Sequence, residues 1–128
     1  MLSAGDTFLI PDKFGTKYLH IVISEPKSDP ARIVLVPVTT WEDYKDDSCI
    51  LDENDGGGSP FLTHRSCIDF QESLVTSEAR LDHLVAEGRI KPHKPVGGNL
   101  VEKIRSRAME SGRMPNKCLM ILDAQNLI

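Results

Sequence analysis

Two neighbouring runs decide the fold: residues 17–24, KYLHIVIS, and residues 31–40, ARIVLVPVTT. In the first run an extended chain puts Leu19, Ile21 and Ile23 on one face and Tyr18, His20, Val22 and Ser24 on the other. The first set is wholly aliphatic and predicts the face turned to the core. The second run is almost continuously aliphatic from Ile33 to Val38, which predicts a deeply buried strand over Arg32 to Thr40. Pro37 has no N–H to give to a ladder, so it marks a bulge or an edge position. Leu19, Ile21, Ile23, Ile33 and Leu35 are the expected core of this pair, and the polar, proline-bounded stretch from Glu25 to Pro30 is the hairpin loop between them.

On the N-terminal side, Gly5-Asp6 opens a short strand over Thr7 to Ile10, closed by Pro11-Asp12. On the C-terminal side, Trp41 to Pro60 is acidic and then glycine-rich, a long loop with a brief strand near Ser48 to Leu51. Strand character returns from Phe61 to Phe70. A short helix is expected over Thr76 to Glu87, capped by Thr76 or Ser77 and stopped by Gly88. After the proline-rich KPHKPVGG comes the clearest helix, Leu100 to Ser111. There Asn99 is placed to cap, Glu102 to complete a capping box and Gly112 to end the helix. Cys118 to Leu122 reads as a short apolar tail or a last strand. Strands joined by short loops and followed by helices predict an α+β fold with an antiparallel sheet. A small antiparallel β-barrel protects its edges better than an open sheet of few short strands.

At 128 residues the chain fits a single domain over 1–128 with a core of its own. Hydrophobic residues make up 40% and charged residues 27%, ordinary values for a globular protein. No apolar stretch approaches the ~20 residues that span a bilayer, and the first residues do not read as a signal peptide. Cys49, Cys67 and Cys118 are scattered and form no CxxC pair, so buried reduced thiols and a cytoplasmic location are expected. His64, His83 and His93 lack metal-ligand spacing, and neither a metal nor a cofactor is expected. A net charge of −4 argues against a broad nonspecific nucleic-acid surface. The charge is segregated, with an acidic stretch at Trp41–Asp55 and a basic one at Arg89–Lys117. These are either two solvated faces or, at the basic stretch, a local anion-binding patch.

Candidate chemistry lies along the two deciding strands. His20 stands on the polar face beside Tyr18, and Thr39-Thr40 ends the buried strand next to Trp41. A titratable imidazole, hydroxyls and an aromatic are the parts that metal-free RNA cleavage requires. A base takes the 2′-OH proton, an acid serves the leaving oxygen, and donors hold the added phosphorane charge. Histidine suits the transfers because its pKa lies near neutrality, and Trp41 can stack a base. The same residues also occur as ordinary half-exposed strand positions. Thr63-His64-Arg65-Ser66 reads either as a phosphate contact through His64 and Arg65 or as a solvent-facing turn.

These features resemble the MazF/PemK-like toxins, small ribonucleases of the Kid/CcdB-type fold. The likeness is carried by Gly5-Asp6, by Ile21-Val22-Ile23-Ser24 and above all by Val36-Pro37-Val38-Thr39-Thr40. Ser66-Cys67-Ile68, Arg80-Leu81 and the helix from Leu100 follow in similar order. The resemblance implies an SH3-like barrel, with a homodimer binding single-stranded RNA across its interface and an antitoxin occupying that groove. It also implies Thr39 as a site residue, with Thr40 beside it. The chain departs from the pattern at Tyr18, where the family has its catalytic arginine; Lys17 points to the opposite face, and His20, two residues on, shares Tyr18's face. Two expectations stand side by side. One is a toxin-type protein that binds and cleaves single-stranded RNA through His20, Thr39 and Thr40, with Tyr18, Trp41, His64 and Arg65 as RNA contacts. The other is a catalytically inactive module of the same fold that binds a protein or nucleic-acid partner.

Overall fold

The structure is a computed structural model and describes residues 2–52 and 65–128. Among these residues seven strands form one sheet: β1 (Thr7–Pro11), β2 (Lys17–Val22), β3 (Ile33–Thr40), β4 (Ile50–Leu51), β5 (Ser66–Ile68), β6 (Leu74–Thr76) and β7 (Lys91–His93). The same residues hold three α-helices, α1 (Glu78–Ala86), α2 (Gly98–Ser111) and α3 (Asn116–Ala124). All pairings are antiparallel and run in the order β4-β5-β3-β2-β1-β7, with β6 also on β3. The α+β class and the antiparallel sheet are as expected. No ladder among the described residues closes the sheet into a barrel: its ends are the two-residue β4 and the proline-bearing β7. Such edges are short or lack a donor, which blunts them against further pairing.

The central strand β3 explains Pro37. Its outer edge pairs with β5 at Val38–Thr40 and with β6 at Ile33–Leu35, and a 3-10 turn at Phe70–Glu72 separates the two. The Pro37 carbonyl accepts the Asp69 amide at 3.1 Å, so the missing Pro37 N–H faces that same break. The proline therefore costs no ladder bond where it sits.

Helices cover both faces. Leu19, Ile21 and Ile23 pack with Val34, Val36 and Val38 beneath α2 and α3, through Leu100, Val101, Ile104, Ala108, Cys118 and Leu122. Phe8, Val22, Ile33 and Leu35 form the opposite layer with Leu81 of α1. The five expected core residues are all buried, but Ile33 and Leu35 lie on the α1 face rather than with Leu19. Arg105 fastens α2 to the sheet, its Nε donating to the Ile23 carbonyl at 2.7 Å and its guanidinium pairing with Glu25 at 3.0 Å. Gly5 holds φ +95, and a Cβ there would lie 2.7 Å from the Val96 carbonyl oxygen, so only glycine fits.

Two local expectations are corrected. Asn99 does not cap α2: the helix begins earlier, at Gly98, with Gly97 as an extended N-cap and no side-chain cap bond. Cys118 to Leu122 is helical within α3, and its buried Cys118 and Leu122 are four residues apart, the helical rather than the strand period. The KPH of the proline-rich stretch is β7, paired with β1. Ser77 does cap α1, accepting the Arg80 amide at 3.1 Å. Ser77→Ala should therefore lower stability by about 0.5–2 kcal/mol in urea unfolding. An unchanged midpoint would deny the cap its contribution.

Candidate functional site

On the α1 side of the sheet the helix covers only one end. The other end, built from Ile10, Tyr18, His20, Pro37, Thr39 and Cys67, is the floor of a cavity of about 640 Å³. Strand register puts these residues side by side: Tyr18 is opposite Ile10, His20 opposite Pro37, and Thr39 opposite Cys67. The walls come from loops. Pro11 and Asp12 lead into the β1–β2 turn, Tyr44, Lys45 and Asp46 come from the acidic segment, and Asp69, Gln71 and Glu72 come from the 3-10 turn, with Arg113 after α2.

His20 is 6% exposed. Its Nδ1 lies 3.0 Å from the Tyr18 carbonyl oxygen, which can only accept, so Nδ1 carries the proton of the neutral ring. That tautomer leaves Nε2 as a lone-pair base. Burial pulls the His20 pKa below 6.5, and the bond to Tyr18 opposes this without reversing it. The imidazole is accordingly neutral at pH 7. It can take a proton, but it does not begin the reaction holding one to give.

The sign of the pH effect follows. Between the lowered folded pKa and the unfolded value of 6.5, the unfolded chain binds more protons, so stability rises with pH. The contribution is complete above pH 6.5 and is lost as pH falls through the folded value. Thermal melts should show Tm falling below pH 6.5, with the slope reduced in His20→Gln. Equal slopes in both proteins would mean that His20 is not the titrating group. The Asp46 carboxyl acts only at lower pH. Burial pulls its pKa up, yet hydrogen bonds from Ser111 and Ser48, with Arg113 nearby, hold it below the usual carboxylate value.

Of the two cations lining the cavity among the described residues, Lys45 and Arg113, Lys45 is the one bonded to the strand floor. Its Nζ donates to Thr39 Oγ1 at 3.0 Å and to the Thr40 carbonyl at 2.7 Å. Glu42 stands 3.8 Å away, within ion-pair range but beyond a hydrogen bond. An ammonium has three N–H groups, so one remains for a ligand. Lys45 also borders a second cleft of about 440 Å³ with Thr40, Lys17 and Ser66. Thr39 lines both the main cavity and this cleft, whereas Thr40 lines the cleft and not the cavity. The Cys67 thiol is raised in pKa, chiefly by burial, and stays protonated rather than acting as a nucleophile.

Of the expected site residues, the structure brings Tyr18, His20 and Thr39 to one cavity and sets Thr40 in the adjoining cleft. Trp41 is half-buried and lines neither, its amide donating to the Arg65 carbonyl at 3.1 Å. Arg65 is exposed and lines neither, and His64 lies outside the described residues. Lys45 was not singled out by sequence reasoning. Its signal was present, as the one base among the seven acids from Trp41 to Asp55. Among the described residues no helix is long and apolar enough to cross a membrane. The chain matches no protein-family model and no curated protein.

Proposed function

We propose that this protein is a divergent MazF/PemK-like ribonuclease that binds single-stranded RNA in the main cavity and cleaves it without a metal. The observation that carries this reading is the convergence of a neutral His20, Thr39 and the Lys45 ammonium on one open cavity. His20 Nε2 takes the proton of a ribose 2′-OH, and the 2′-oxygen attacks the adjacent phosphorus. Lys45, placed by Thr39 and the Thr40 carbonyl, meets the charge that develops on the phosphorane oxygens, the task of the family arginine replaced here by Tyr18. The P–O5′ bond breaks, and the leaving oxygen receives a proton from the imidazolium just formed or from water. The products are a 2′,3′-cyclic phosphate and a 5′-hydroxyl. In this reading the sheet is the family's SH3-like barrel left unclosed at its β4 and β7 edges.

The cavity is not uniformly cationic. Asp12, Asp46, Asp69 and Glu72 line it against Lys45 and Arg113. Phosphate is therefore received at Lys45, while rim carboxylates are suited to accept from base amino groups. That acidic rim and the family-arginine position held by Tyr18 also favour the second reading, a catalytically inactive binding module. Matched RNA and DNA single strands incubated in EDTA separate the two. The ribonuclease reading expects the RNA to be cut and the DNA to survive. RNA bound but intact selects the inactive module, and cutting of both strands contradicts a 2′-OH nucleophile. The family reading further implies an antitoxin partner and a homodimer, so sedimentation should give twice the 14.2 kDa of one chain. A monomer at all micromolar concentrations would remove the shared groove.

A further inference from the structure

Five large apolar or aromatic side chains are conspicuously exposed among the described residues: Phe14, Tyr44, Leu74, Met109 and Met120. Two of them, Tyr44 and Leu74, line the main cavity, and a third, Phe14, stands on the β1–β2 turn whose Pro11 and Asp12 form part of its wall. Phe14 is 82% and Tyr44 78% exposed, so neither ring contributes to the core. The Phe14 turn is held in place. Asp12 Oδ1 accepts the amides of Phe14 at 2.8 Å and Thr16 at 3.0 Å, while the Asp12 amide donates to the Thr16 carbonyl at 2.8 Å. Each ring also has a lysine beside it. Lys13 Nζ lies 5.2 Å from the Phe14 centroid, and Lys45 Nζ 5.9 Å from that of Tyr44.

An exposed ring with an ammonium at its side matches one ligand chemistry closely. A nucleobase offers a flat π-face to the ring, and its phosphate offers a negative charge to the lysine. A peptide segment would need apolar pockets for its side chains, whereas here the exposed rings are paired with cations and the cavity rim is polar. We propose that Phe14 and Tyr44 are stacking platforms for unpaired bases of one nucleic-acid strand entering the main cavity, with Lys13 and Lys45 receiving the phosphates beside them. This inference rests on the single-stranded RNA reading and assigns that strand its grip, which Trp41, half-buried and away from both clefts, does not provide.

Binding is best measured separately from cleavage, by fluorescence anisotropy with a short labelled single strand of mixed sequence carrying 2′-O-methyl groups. Phe14→Ala and Tyr44→Ala should each weaken binding by roughly 5- to 150-fold, the loss expected for one stacked base. Phe14→Trp and Tyr44→Phe keep a π-face and should bind within about twofold of the parent protein, whereas Phe14→Leu, apolar but not aromatic, should weaken it. Both side chains are solvent-exposed, and a circular dichroism melt of each variant shows whether the fold is retained. If the parent protein binds or cuts RNA and the two alanine variants match it, the platforms are refuted and the ribonuclease reading survives. If the parent protein neither binds nor cuts, the RNA reading falls and the platforms fall with it. A Phe14→Leu protein that binds as tightly as the parent would also refute stacking, because apolar contact alone would then account for the affinity.

Discussion

His20→Ala should lower the rate of RNA cleavage by about 10²–10⁴-fold, the range that a positioned general base supplies. Among the described residues His20 is the one imidazole lining the main cavity, and its Nδ1 is committed to the Tyr18 carbonyl at 3.0 Å. That bond fixes both the tautomer and the ring plane, so Nε2 is presented without further ordering when a strand arrives. The loss should fall on kcat more than on KM, because the proton transfer belongs to the transition state. Since burial holds the ring's pKa below its ordinary value, the acidic limb of kcat/KM should lie below pH 6.5 and vanish in the variant. A His20→Ala protein with full activity would reassign the base and leave the fold untouched.

The largest stability effect is expected at the centre of the sheet. Ile21 is fully buried, stands opposite Val36 on β3 and belongs to the layer under α2 and α3. Ile21→Ala should cost about 2–5 kcal/mol in equilibrium unfolding, the lost transfer energy of the side chain plus the cavity left behind. The upper part of that range is the more relevant one. Leu19 and Val38 are held by strand ladders on both sides, and Val34 by β6 and by the Ile23 amide at 3.0 Å, so these neighbours have little freedom to collapse into the space. A loss under about 1 kcal/mol would mean that the layer repacks as loosely as a surface site.

Legibility in the sequence followed the strength of the periodic signal. The β2–β3 pair was readable because the aliphatic Leu19, Ile21 and Ile23 alternate with Tyr18, His20, Val22 and Ser24, of which only Val22 is aliphatic, and because the aliphatic run of β3 has no helical spacing to compete with it. β7 was not readable: Lys91, Pro92 and His93 are exposed or half-buried and owe their extended form to pairing with β1 alone. α3 was misread because a short apolar run suits a strand and a buried helix equally well. Its helical period shows only in the four-residue spacing of the buried Cys118 and Leu122. The site divided along the same line. Tyr18, His20 and Thr39 share a face because strands alternate, which the sequence states directly. Lys45 reaches Thr39 because the chain turns back over the end of β3 within six residues, an irregular turn that leaves no periodicity. Trp41 drew attention by its chemistry, whereas tertiary packing left that exposure to Tyr44.

The most direct test of the account is the chemistry of the ends made when the purified protein is incubated with long RNA of mixed sequence in EDTA. Attack by the 2′-oxygen, with His20 as base and Lys45 facing the phosphorane, predicts new 3′ ends bearing a 2′,3′-cyclic or 3′-phosphate and new 5′ ends bearing a hydroxyl. RNA that remains intact, or that is cut to give 3′-hydroxyl and 5′-phosphate ends, would contradict it.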